Sequence, residues 1–104
     1  MSTERLARVD SVVVGTNLAA AGVINLKHDA GGMLLVPTGV TQLTYYACAT
    51  SGGTYKLVSN VGTAGVETTT AETWHNLPVG LFPVHFLKIV GNGSTATTDL
   101  QVKS

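Results

Sequence analysis

The chain has 104 residues and a mass of 10.7 kDa, which leaves room for one domain around one core. Its six basic and six acidic side chains cancel, so the formal net charge is zero. A neutral chain has no long-range field with which to gather polyanions, which argues against nucleic acid and acidic membranes as partners. The single cysteine, Cys48, excludes an intrachain disulfide and a thiolate metal cluster.

Charged residues make up 12% of the chain, about half the share that is typical of soluble domains. A nearly neutral surface of this kind does little to prevent association, which indicates a protein that functions within an assembly. No segment reaches the roughly 18 apolar residues of a membrane span, and the apolar run at 12–14 is too short for a signal peptide. We therefore expect the protein to fold in a reducing cytosol.

Residues 1–10 stand apart from the rest because they hold four of the twelve charged side chains. We interpret them as an N-terminal arm that precedes a domain at 11–104, since charged termini are often mobile unless they dock on a partner. From residue 9 onward, period-two alternation and β-branched residues predict strands. These strands are expected at 9–14, 23–27, 33–36, 42–49, 54–59, 66–70, 85–90 and 98–103.

Clusters of Gly, Asn, Asp and Pro separate the expected strands, because these residues tolerate or impose turn geometry. About eight short strands spaced some ten residues apart predict an all-β fold, a single small antiparallel β-sandwich that is jelly-roll-like. The best place for a helix is a single turn at 70–76, with Thr70 as its cap. The expected core consists of Val13, Ile24, Leu26, Leu35, Leu43, Tyr45, Leu57, Leu87, Ile89, Leu100 and Val102.

Chemical sites are poorly supported by the sequence. The three histidines, His28, His75 and His85, lack the close pairing of zinc ligands, so no metal or cofactor is expected. The segment 49–53 lacks the Gly-x-Ser-x-Gly elbow of a serine hydrolase, and Cys48 has the setting of a small buried hydrophobe. The scattered acids form no specific catalytic pair. We predict that the protein is not an enzyme.

Aromatic residues give a better indication of a binding surface. Tyr45 and Tyr46 are adjacent on one strand and must face opposite sides of the sheet. Trp74 is expected in a loop at 71–84 that is rich in apolar residues and either caps the sandwich or forms a contact surface, since clustered aromatics are enriched at interface hot spots. A sugar platform at Trp74 is a further alternative.

Five segments carry a resemblance to a known group of proteins. They are GMLLVPxGVTxLTYYA at 32–47, GGTYxL at 52–57, LPxGLF at 77–82, FLKIVGN at 86–92 and LxVKS at 100–104. In these strand-and-turn features residues 31–104 resemble short phage-encoded virion structural proteins, of the kind that includes capsid cement or decoration proteins with β-sandwich folds. Residues 1–30 carry no such resemblance, and no catalytic residues are implied.

The resemblance implies a capsid cement protein that is made in the cytoplasm of a host bacterium, binds the major capsid protein on the capsid surface and stabilises the head. Such a protein is expected to self-associate as a dimer or trimer on a symmetry axis. The arm and the Trp74 loop are the expected contacts, and the interface residues that we predict are Arg5, Leu6, Arg8, Trp74, Leu81 and Phe82. The alternative is a carbohydrate- or receptor-binding module of a phage tail or fibre. A small enzyme, with two histidines and an acid converging in a pocket, is the remaining possibility.

Overall fold

A computed structural model describes residues 7–26, 31–50, 53–59, 65–78, 81 and 85–103, without the side chains of residues 7, 8 and 103. This part of the chain forms nine strands and no α-helix. The strands are β1 Ala7–Val14, β2 Ile24–Asn25, β3 Gly31–Leu35, β4 Gln42–Cys48, β5 Lys56–Leu57, β6 Val66–Thr68, β7 Trp74–Asn76, β8 Phe86–Gly91 and β9 Ala96–Lys103.

The strands form two antiparallel sheets that pack as a sandwich. The four-stranded sheet has the order β1-β9-β3-β7, and the five-stranded sheet has the order β2-β8-β4-β5 with β6 also paired to β4. Early strands thus pair with late ones, β1 with β9, β2 with β8 and β3 with β7. This wrapped pairing is the arrangement of a jelly roll. The predicted all-β sandwich is confirmed.

The core lies between the sheets and follows the period-two alternation of the strands. Leu43 and Tyr45 point inward from β4, Leu87 and Ile89 from β8, and their polar neighbours point outward. The whole buried cluster is Val12, Val14, Ile24, Leu26, Leu34, Val36, Val40, Leu43, Tyr45, Leu77, Leu81, Leu87, Ile89, Leu100 and Val102.

Three of the residues predicted for the core do not lie in it. Val13 and Leu35 are only half-buried, while their neighbours in sequence fill the core, and Leu57 is 44% exposed. The runs at 12–14 and 33–36 are apolar at every position, so local alternation does not fix which residues face inward. Pairing with β9 decides it, because β9 presents Leu100 and Val102 to the core.

The expected helical turn at 70–76 is also wrong. Residues 74–76 form strand β7, whose Trp74, His75 and Asn76 lie opposite Leu35, Leu34 and Met33 of β3. The preceding residues form a turn, in which the Thr73 hydroxyl donates to the Thr70 carbonyl at 2.6 Å. A single turn of Thr-rich sequence has little helical stability by itself, so pairing with an existing strand prevails.

The expected arm at 1–10 overlaps the first strand. β1 begins at Ala7, and residues 7–10 pair with residues 103–100 of β9. The part of the arm at 1–6 lies outside the described residues, as does His28. Strand β1 therefore includes residues 7–10, which the charge pattern assigns to the arm.

Candidate functional site

A hydrogen-bonded trio links the two sheets. Glu67 lies on β6 of the five-stranded sheet, and its Oε1 accepts from the Tyr45 hydroxyl at 2.6 Å and from Nε2 of His75 at 2.8 Å. His75 lies on β7 of the four-stranded sheet. A carboxylate can only accept, so His75 carries a proton on Nε2 in this contact. The trio therefore fastens one sheet to the other between β6 and β7.

The chemistry of the trio is that of a structural link. Tyr45 is fully buried, and burial raises the pKa of its hydroxyl far above the ordinary value, as do the hydrogen bond to Glu67 and the negative charge of that carboxylate. The hydroxyl thus keeps its proton. Within the described residues no serine or cysteine is hydrogen-bonded to His75 in the manner of a nucleophile.

The small-enzyme alternative requires two histidines and an acid around one pocket. The structure brings His75 to Glu67, but His85 is exposed and stacks on the Phe86 ring with 4.3 Å between centroids. His28 lies outside the described residues. Across the described ranges, no group of three or more His, Cys, Asp or Glu residues is placed to hold a metal ion.

Cys48 has the setting that the sequence predicts. It is buried, and its Sγ donates to the Thr50 carbonyl at 2.9 Å. Its neighbours Tyr45 and Tyr46 face opposite sides of β4 as expected, with Tyr45 in the core and Tyr46 half-buried on the outer face. The thiol is thus part of the packing.

The outer face of the four-stranded sheet exposes apolar side chains. Trp74 is 42% exposed, Met33 36% and Val9 59%, and Leu35 lies half-buried directly opposite Trp74 in the pairing of β3 with β7. We call these four residues the apolar patch. Val9 lies two strands from Met33, with Gln101 of β9 between them in the same row. Exposed aromatic and aliphatic groups gathered on one face are typical of a contact surface.

A groove opens beside this patch, where β9 separates from the end of β3. Val36 bonds to the β7 side, since its N–H donates to the Thr73 carbonyl at 2.9 Å and its carbonyl accepts from Glu72 N–H at 2.8 Å. Pro37 comes next on the β9 side by alternation, and it has no N–H to continue that ladder. The Thr98 hydroxyl instead donates to the Leu35 carbonyl at 2.6 Å. The pairing of β3 with β9 thus stops after Leu34 and Leu100, and Pro37 prevents it from resuming.

The groove has a volume of about 420 Å³, within the range of ligand-binding clefts. Apolar and polar residues both line it, among them Leu35, Pro37, Thr38, Glu72, Ala96 and Thr97. Glu72 adopts a φ of 63°, a left-handed conformation that is uncommon outside glycine. Its Oε1 accepts from the Thr38 hydroxyl at 3.2 Å. Strain of this kind at the edge of a groove is often found at functional sites.

The structure places the predicted interface residues unequally. Trp74 is exposed on β7, whereas Leu81 is fully buried in the core and has no surface to offer a partner. Burial of Leu81 therefore corrects its assignment to an interface. The backbone of Arg8 pairs with Val102 in β9. Arg5, Leu6, Phe82 and the side chain of Arg8 lie outside the description.

Sequence reasoning missed Val9, Met33, Leu35 and Glu72. Once it is known which residues of β3 face the core, alternation alone assigns Met33 and Leu35 to the outer face. The sequence by itself does not show which residues of β3 face the core. Glu72 has no signal in the sequence, because nothing local requires a positive φ at that glutamate.

Comparisons with protein-family models, with curated protein sequences and with solved structures returned no match. In the described part of the chain, no helix is long and apolar enough to cross a membrane. The candidate site therefore consists of the apolar patch and the adjoining groove of the four-stranded sheet, as the geometry of this chain defines them.

Proposed function

We propose that the protein is a non-catalytic virion structural protein, a capsid cement or decoration protein that binds the major capsid protein on the head surface. The observation that carries the proposal is the apolar patch on the outer face of the four-stranded sheet. Trp74 and Met33 project there from neighbouring strands without a covering element among the described residues. The resemblance of residues 31–104 to phage virion proteins supports the same function.

The physical case rests on what such a surface gains by contact. A tryptophan is the residue most often found to dominate binding energy when water is excluded around it. Methionine beside it adapts to an irregular surface at little cost. Jelly rolls also recur in viral capsid domains, which is support by analogy of fold alone. A head protein that self-associates as a dimer or trimer would present several patches at once and gain avidity.

The test is binding to purified capsids that lack this protein. We expect Trp74→Ala with Met33→Ala to weaken occupancy by about 30-fold or more, because hot-spot truncations often cost 2 kcal/mol or more. The matched control is Leu57→Ala, since Leu57 is as exposed as Trp74 but lies on the five-stranded sheet. Circular dichroism checks that both variants fold. Full occupancy by the Trp74 and Met33 variant would contradict the proposal.

A carbohydrate-binding module of a tail or fibre is the second candidate. It is favoured by the position of Trp74 beside a groove whose lining includes the Thr38 and Thr97 hydroxyls and the Glu72 carboxylate. Sugars stack on aromatic faces and hydrogen-bond to such groups. Titration with a glycan panel should then show saturable binding that Trp74→Ala abolishes, while capsids bind neither form. Imaging of the virion separates a head site from a tail site.

A further inference from the structure

We propose that the groove beside Glu72 receives Arg5 and Leu6 from the N-terminal arm of a second copy of this chain. The inference rests on the proposed function, in that it describes how sister copies join on the assembly. It assigns the groove one occupant, and it assigns the charged arm a site. Four observations carry it: the charges at the groove, its apolar lining, the composition of the arm and the reach of the arm.

The charge at the groove is negative. Glu72 is exposed and bonds to the Thr38 hydroxyl, and within the described residues no lysine, arginine or histidine is paired with it. Asp99 faces the same side of the sheet, because its neighbour Leu100 points into the core. Asp99 likewise has no ion pair with any side chain that the structure describes. A cationic group is therefore the complementary occupant at this end of the sheet.

The N-terminal arm offers that chemistry in adjacent residues. Arg5 provides a guanidinium, which suits a carboxylate because its donors match both oxygens. Leu6 follows directly and suits the apolar part of the lining, which includes Leu35, Pro37 and Ala96. An arginine next to an aliphatic residue thus matches a groove in which a carboxylate borders an apolar wall.

The reach of the chain excludes the arm of the same copy. The groove is lined by Thr97, which pairs with Val13, six residues along β1 from Ala7. Six residues of strand span about 20 Å, and Glu72 lies about 10 Å further across the sheet beyond β9. Arg5 is two residues from Ala7, so its backbone reaches at most about 7 Å and its side chain adds about 7 Å more. Only an arm from another copy can deliver Arg5 to Glu72.

An arm that leaves one copy and enters the next defines the geometry of assembly. Reciprocal exchange between two copies gives a two-fold dimer, and head-to-tail contact closes into a ring when the rotation allows it. In either arrangement Trp74 lies at the border of the contact between copies, and the rest of the apolar patch faces the capsid. The same end of the four-stranded sheet then serves the contact between copies and the contact with the capsid.

Charge reversal in the full chain tests the contact. We expect Arg5→Glu and Glu72→Lys each to weaken self-association by about five- to tenfold in sedimentation equilibrium, because attraction becomes repulsion at a partly exposed pair. Lys56→Glu is the matched control, since it makes the same charge change as Arg5→Glu at an exposed position of the five-stranded sheet and should leave association unchanged. Glu72→Gln should give a smaller loss, and thermal unfolding confirms that each variant folds.

Mixing the two variants is the decisive step. An equimolar mixture of the Arg5→Glu and Glu72→Lys chains should associate more strongly than either variant alone, because the arm of each variant meets a groove of opposite charge on the other. Failure of the mixture to associate would overturn the inference, and so would an unaltered chain that stays monomeric up to about 1 mM. Capsid binding reports separately: its absence alongside a successful rescue removes the cement function and leaves the contact between copies standing.

Discussion

Two glutamates five residues apart have opposite surroundings. Glu67 is partly buried, bridges the two sheets and accepts from both Tyr45 and His75. Glu72 is exposed at a turn, holds a left-handed backbone conformation and bonds to one threonine hydroxyl beside an open groove. The same residue type thus contributes to stability in one place and to a binding surface in the other. The difference lies in what each carboxylate contacts.

The cause is the path of the chain between β6 and β7. Glu67 lies on a strand that pairs with β4, so its side chain is delivered to the Tyr45 hydroxyl at the border of the core. Glu72 follows in the turn that crosses to the other sheet, beyond Leu34, where the pairing of β3 with β9 stops, and beside Pro37, which has no N–H to resume it. The region around Glu67 is closed by side-chain hydrogen bonds and resists rearrangement. The region around Glu72 is open because Pro37 has no N–H donor, and it is available for binding. We call them the closed region and the open region.

The largest expected effect is at the closed region. Glu67→Ala should lower the free energy of unfolding by about 2 kcal/mol, because the fully buried Tyr45 loses the acceptor of its hydroxyl. Urea denaturation measures the change. Glu67→Gln keeps an oxygen for Tyr45 and should lose less, and Glu72→Gln should change stability by less than about 0.5 kcal/mol. Equal losses at Glu67 and Glu72 would erase the contrast between the two regions.

Alkaline pH should act on the closed region as well. The pKa of Tyr45 is raised in the folded state by burial, by the hydrogen bond to Glu67 and by its charge, whereas an unfolded tyrosine ionises near pH 10. The stability contributed by Tyr45 is therefore complete below about pH 10 and declines above it, by about 1.4 kcal/mol per pH unit for one group.

Tyr45→Phe tests this dependence, because phenylalanine removes the ionisable group and keeps the ring in the core. The variant should be about 1 kcal/mol less stable at neutral pH and should lose stability less steeply above pH 10. Chemical denaturation at a series of pH values gives both quantities. Parallel pH profiles for the two proteins would show that Tyr45 ionises as freely in the fold as in the unfolded chain.

The last expected effect is a gain in stability at the open region around Glu72. Glu72→Gly should stabilise the fold by about 1 kcal/mol, because glycine accepts a φ of 63° without the steric cost of a side chain. Glu72→Ala keeps the Cβ atom and should bring no such gain. Thermal unfolding of the two variants separates them. Identical stability for glycine and alanine would mean that the backbone at this position stores no strain.

Strand positions were largely predictable because they depend on local composition. All eight expected strands overlap observed ones, and turn residues such as Gly39, with its φ of 82°, mark the breaks. β7 was missed because its three residues have no alternation of their own and form a strand only by pairing with β3. The sequence predicts Trp74 as an interface residue, in a loop that either caps the sandwich or forms a contact surface. The outward position of Met33 and Leu35 cannot be predicted, because the run at 33–36 is apolar at every position.

The sequence by itself determined that this chain is a β-sandwich with one core, a neutral surface and a charged segment at the start. Those properties follow from composition and from a period of two residues, which any stretch of chain carries within itself. The tertiary structure alone decided which side of β1 and β3 faces the core, which glutamate bridges the sheets and where the groove opens. These outcomes depend on pairing between residues far apart in sequence, such as β3 with β9 and Glu67 with Tyr45, and no local pattern encodes that pairing.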